Sequence, residues 1–167
     1  MVRPLNMFED AEFRLDSASL GNLNFSVISS YKGNLNAELV QKGLKHLQKI
    51  HPLLRMSQNS TQKVTHFIET ATSVPFKEYQ YEGQDQWKSI VKRDLAERFN
   101  KLDTPLWRVI LLKGEEEGQL LITFHHAIAD GVCAMEMVNH LFRFFSDFKK
   151  GNLLEVSEFN QIPDLNP

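Results

Sequence analysis

Two adjacent histidines and a carboxylate stand close together in TFHHAIADG, residues 123–131, and are the side chains of this sequence best placed to do chemistry. A neutral imidazole takes up a proton near pH 7, so His125 or His126 could serve as a general base. A metal is the competing thought. Neighbouring residues of a strand point to opposite faces, so this pair cannot easily ligate one ion while the strand persists, and helical ligand pairs sit four apart, as in HExxH. No metal site is expected on that spacing. A purely structural assignment also fits: a strand ends at His126, Asp130 caps a helix beginning near Gly131, and both rings are hydrogen-bonded core groups. Against it stands the position, because ligand sites gather at strand carboxyl ends beside helix starts in layered α/β folds. One histidine should face a cleft and the other the scaffold.

The elements that must hold this stretch can be read from hydrophobic period. QLLITFHH (119–126) and LWRVILLK (106–113), joined by GEEEG, form a hairpin of two largely buried strands. After the motif, Val132, Met135, Val138, Leu141, Phe142, Phe145 and Phe148 recur at three or four residues and predict a helix that stops at Lys149-Lys150-Gly151. Upstream, NFSVISSYK (24–32) reads as a strand broken by Gly33-Asn34. A helix over 35–50 carries Leu39, Val40, Leu44, Leu47 and Ile50, with Asn34 or Asn36 as cap and Pro52 as stop. Short strands are expected at 53–59 and 63–69, and another helix runs from Trp87 through Ile90, Val91 and Leu95 to Phe99. The fold class is therefore α/β (α+β): a two-layer sandwich with a mixed, largely antiparallel sheet packed by helices. Neither GNLN nor GEEEG has the glycine spacing of a phosphate-binding loop, which argues against a nucleotide fold.

Composition narrows the classes further. With 167 residues, one domain is the default; 42% hydrophobic and 24% charged residues with a net charge of −2 describe a globular chain with no electrostatic reason to bind nucleic acid. Cys133 is the single cysteine, so a disulfide framework or cysteine zinc site is not expected, and a reducing cytoplasm is the simplest compartment. MVRPLNMFEDAEF has no signal-peptide core, and no apolar run is long enough to be a transmembrane segment. Cys133 as a nucleophile is disfavoured because its helical, apolar neighbours suggest a small core residue. Ser29 and Ser30 lack a GxSxG setting, and His46, His51, His66 and His140 read as surface or satisfied histidines. The phenylalanine-rich 141–148 stretch reads as a core stripe, part of which could cover a neighbouring lobe.

HHAIADG resembles the His-His-x-x-x-Asp-Gly signature of the chloramphenicol acetyltransferase-like superfamily. That group includes condensation domains of nonribosomal peptide synthetases, alcohol acetyltransferases and polyketide-associated acyltransferases. KGNLNAELVQKGLKHLQKIHPLLR and PLWRVILL are similar to the segments that precede the signature, so order and spacing agree over roughly 20–150. The resemblance implies a chloramphenicol acetyltransferase-like half. Residues 1–152 would be the amino-terminal acyltransferase or condensation-type lobe, and 153–167 the start of an inter-lobe linker.

Carried onto this sequence, the resemblance makes His126 the general base that deprotonates a hydroxyl or amine acceptor as it attacks a thioester. No bound cofactor is implied. The donor substrate would be an acyl-CoA or acyl-phosphopantetheine thioester. His125 would point into the scaffold, Asp130 would be a buried anchor paired with Arg55 or with its rival Arg108, and Gly131 would make the tight turn. The implied partners are a carboxyl-terminal lobe and an acyl or peptidyl carrier protein, in secondary metabolism. A lone lobe should be inactive, lacking half of the cleft. HPLLR, in place of the RHExLRT of many peptide-forming domains, leans towards a stand-alone O-acyltransferase. The alternatives are a fragment of an amide-forming condensation domain of the nonribosomal-peptide type and a non-catalytic module that binds carrier protein.

Overall fold

The computed structural model describes residues 2–18, 23–60, 65–99 and 102–150. In chain order its elements are β1 (Val2–Pro4), α1 (Met7–Ala18), β2 (Asn24–Lys32), α2 (Ala37–Ile50), a 3₁₀ turn (Pro52–Arg55), β3 (Met56–Ser60), β4 (Thr65–Glu69), β5 (Phe76–Gln80), α3 (Gln86–Leu95), β6 (Trp107–Lys113), β7 (Glu117–His125) and α4 (Gly131–Lys149). The main sheet runs β2-β7-β6-β5, antiparallel except for the parallel β5–β6 pair. A smaller antiparallel sheet runs β1-β4-β3. This is the mixed, largely antiparallel sheet packed by helices that the hydrophobic pattern implied.

β6 and β7 are buried along almost their whole length because helices pack on both faces of the main sheet. Val109, Leu111, Leu120 and Ile122 belong to the core shared with α2 and α4, whereas Ile110, Leu112 and Leu121 meet Ile90 and Val91 of α3. Alternation along the strands thus feeds two clusters from one sheet. Asn36, of the two expected candidates, caps α2 by accepting the Leu39 N–H at 2.8 Å. Where α2 crosses α4, Gly43 keeps the backbones close: a Cβ there would lie 2.6 Å from Leu141 Cδ1 and 2.7 Å from Phe145 Cε1.

The structure differs from the expectation in five places. Residues 53–55 form part of the 3₁₀ turn and not a strand, because Pro52 presets the backbone angle and the Leu54 N–H bonds back to the His51 carbonyl at 3.0 Å. α3 ends at Leu95, short of Phe99. Arg108 Nη2 donates to the carbonyl oxygens of Asp94 and Glu97, at 2.5 and 2.8 Å, and its guanidinium lies 4.2 Å from the centre of the Phe99 ring. β1, α1 and β5 have no counterpart among the expected elements. α1 opens with a reciprocal cap, in which Asn6 Oδ1 accepts from the Glu9 N–H at 2.9 Å and Glu9 Oε2 accepts from the Asn6 N–H at 2.8 Å. Arg3 Nη2 then binds Glu9 Oε1 at 2.6 Å and fastens the helix to β1. The expected linker, 153–167, lies outside the described residues, as do residues 63 and 64 of the expected strand over 63–69.

Candidate functional site

β7 ends at His125, and His126 opens the turn that leads to α4. The two main chains are tied to opposite sides: the His125 N–H donates to the Leu106 carbonyl at 2.9 Å and the His126 N–H to the Leu23 carbonyl at 3.0 Å. Successive strand residues address opposite neighbours and opposite faces, and the side chains follow.

His125 is 2% exposed and its ring stacks on Phe13 at 4.7 Å. Nδ1 accepts the Ala127 N–H at 3.1 Å, so the ring hydrogen of the neutral form sits on Nε2, which faces Asp16 Oδ2 at 3.9 Å. That separation is beyond hydrogen-bond length. Burial pushes the imidazole down to about 4 in spite of the opposing pull of Asp16, so near neutral pH His125 is an uncharged brace for the turn.

His126 is exposed. Its ring tilts against Phe25 at 4.8 Å and lines a groove of about 560 Å³. Met7, Phe8 and Glu12 of α1 form one wall; Leu53 of the 3₁₀ turn, the 127–129 turn and Asp130 complete it. His126 carries the one imidazole among the residues that line the groove. The α1 wall has no counterpart in the hydrophobic period of the sequence. The signal for it was Asn6-x-x-Glu9, a capping-box spacing that marks a helix start.

Several expectations about residues around the motif need correction. Asp130 is exposed, not a buried anchor, and it caps α4 by accepting the Cys133 N–H at 2.8 Å. That N–H and the others at the helix start hold the carboxylate below its ordinary range, so it needs no arginine. Arg55 instead pairs with Glu69 at 2.8 Å, donates to the Gln48 carbonyl and lines a separate groove of about 480 Å³ with Lys45 and Thr70. Arg108, 7% exposed, pairs with buried Asp94 at 2.8 Å. Neither arginine faces the His126 groove. Cys133 is exposed and not a small core residue, and partial burial together with the Asp130 carboxylate raises its thiol above the ordinary range, the wrong direction for a nucleophile. Gly131 opens α4 with nothing within 4 Å of the position a Cβ would take, so close packing does not require a glycine there.

Of the other histidines, His51 Nε2 and His140 Nδ1 satisfy each other at 3.0 Å, and His46 packs on Phe144 at 4.7 Å. Among the described residues no group of three His, Cys, Asp or Glu could hold a metal ion, and no helix is long and apolar enough to cross a membrane.

The family model of the Condensation domain matches residues 20–162. The chain belongs to the condensation-domain family. Bacitracin synthase 1 of Bacillus licheniformis is 23% identical over 141 residues, which are 79% of this chain and 3% of that protein. Polyketide synthase PksN of Bacillus subtilis (strain 168) is 26% identical over 148 residues, 81% of this chain and 2% of that protein. Among solved structures, the starter condensation domain of the rhizomide synthetase RzmA aligns with a TM-score of 0.78 at 14% identity, over 96% of this chain and 41% of that one. The first condensation domain of the CDA synthetase gives 0.76 at 12% identity, over 96% and 44%. The chain therefore spans about two fifths of the solved condensation domains it resembles, and a small part of the synthases.

Proposed function

We propose that this chain is the amino-terminal lobe of an acyltransferase of the condensation type, with His126 as its general base. The observation that carries the reading is the exposed imidazole at the end of β7, in a groove whose walls are mostly apolar. As an acceptor N–H or O–H attacks the thioester carbonyl, His126 takes its proton; the new C–N or C–O bond forms, the C–S bond breaks, and the thiolate leaves and receives the proton. A base positioned in this way contributes about 10² to 10⁴-fold to such a step. No acyl-enzyme intermediate is required.

The donor is an acyl thioester of CoA or of a carrier protein's phosphopantetheine. A relative of this fold, a variant of the rhizomide synthetase starter domain, has been solved with C8-CoA, which supports a thioester of that kind. Relatives that are very large synthases favour an assembly-line setting over the stand-alone O-acyltransferase suggested by HPLLR. A second lobe completes the cleft. The groove is open, and Met7, Phe8, Val132 and Met135 lie exposed near the motif, at the starts of α1 and α4. Without that lobe the chain lacks the positioning and oxyanion stabilisation that acyl transfer needs, and turns over little or not at all. The test is to supply a carboxyl-terminal lobe and follow thioester consumption by wild type and His126→Ala. Equal turnover by the two would end the proposal.

A further inference from the structure

His125 is held from two sides. Phe13 of α1 stacks on its ring at 4.7 Å, and the Phe99 ring meets it edge-on at 6.2 Å. Phe99 lies just beyond the end of α3, where the guanidinium of Arg108 sits 4.2 Å from its centre. Arg108 is in turn fixed by Asp94, whose Oδ1 accepts from Nε at 2.8 Å and whose Oδ2 accepts from Thr123 Oγ1 at 2.6 Å. Thr123 shares a further hydrogen bond with Ser26 of β2, 2.7 Å long. Thr123 and His125 are two apart on β7 and therefore project to the same face. One connected set of contacts runs from the end of α3 to the imidazole that braces the motif.

The energetics of this cluster are informative. A buried ion pair such as Arg108–Asp94, with side chains 8% and 3% exposed, loses much hydration and is often no more stable than apolar residues of the same volume. What it supplies is geometry. The planar guanidinium makes three hydrogen bonds at fixed angles and stacks on an aromatic face, which a flexible apolar chain does not reproduce.

Resting on the reading of His126 as base, we infer that Arg108 is a positioning residue for it. Through Phe99, Arg108 sets the angle of the His125 ring; His125 Nδ1 holds the Ala127 N–H, and Ala127 adjoins His126 in the turn. The catalytic imidazole is thus aimed by a buried charge that never touches the groove.

The deciding variant replaces the cluster with apolar residues, Arg108→Met with Asp94→Leu and Thr123→Val. It is expected to fold with a thermal midpoint near that of the wild type. The ¹H–¹⁵N ring signals of His125 should then move, and protection of the Ala127 amide from hydrogen exchange should fall at least tenfold. With a second lobe supplied, kcat should drop by roughly 10²-fold at unchanged KM, the loss typical of a reacting group misplaced by about 1 Å. Arg108→Lys keeps the charge and loses the planar stack; it should shift the same signals by less, and it decides the matter if the triple variant does not fold. A folded variant of either kind with wild-type His125 signals and Ala127 protection overturns the inference, and so does one with wild-type kcat. If His126→Ala is as active as wild type, the base assignment fails instead, and the ring signals alone judge the role of Arg108.

Discussion

His125 and His126 are adjacent and chemically identical, yet one is 2% exposed beneath Phe13 and the other stands in an open groove against Phe25. Their truncations should have opposite signatures. His125→Ala removes a stacked, buried ring and is expected to lower unfolding free energy by about 2–4 kcal/mol, as other large core truncations do. His126→Ala should change stability by no more than about 0.5 kcal/mol, the usual range for surface positions. Urea unfolding of both variants checks the pair. A larger loss for His126→Ala than for His125→Ala would reverse the assignment of scaffold and groove.

Acid should destabilise the fold through His125. In the unfolded chain a histidine titrates near 6.5, whereas burial pushes the folded His125 down to about 4. The unfolded state therefore binds the proton first, and stability falls as pH drops from about 6.5 towards 4, reaching about 3 kcal/mol for this group at the low end. His46 and His51, whose rings are also lowered by burial, act in the same direction. Unfolding measured at pH 7.5 and at pH 4.5 should show the loss, and His125→Gln should flatten most of it.

Asp130 should behave as a helix cap. Asp130→Ala is expected to speed hydrogen exchange at the Cys133 amide and to fray the first turn of α4, while Asp130→Asn, which still offers an acceptor oxygen, keeps most of the protection. A buried Asp130 paired to arginine would predict something else: loss of Arg55 or Arg108 would mimic the aspartate variant at that amide.

The crossing of α2 and α4 leaves no room at Gly43. Gly43→Ala adds a Cβ within 2.7 Å of Leu141 and Phe145, so the intrinsic helix preference for alanine should be outweighed by overpacking. The expected net loss is about 1–3 kcal/mol. A thermal midpoint at or above that of the wild type would show that the helices part easily.

Much of the frame was legible because period and burial coincide. The apolar runs of β6 and β7, the spacing of α2 and α4, and the alternation that separates His125 from His126 are local properties of the chain. Asp130 before a helix start could likewise be read as a cap, and the structure bears that out in place of the buried anchor the family resemblance implied. α1 is not legible in this way because the apolar residues of MFEDAEFRLDSA show little helical period, although its Asn6–Glu9 cap has a recognisable spacing.

The sequence by itself determined which residue types sit at the end of β7, which way each side chain faces and which helix begins next, since backbone geometry over a few residues decides those things. Only the tertiary structure decided the partners. Which carboxylate Arg108 meets, which ring lies on His125 and which helix walls the His126 groove depend on segments up to about a hundred residues apart, brought together by burial of both faces of one sheet. Arg55 and Arg108 carry the same charge and stood as rivals for one aspartate; packing gave each a different acid, and no local rule distinguishes those pairings.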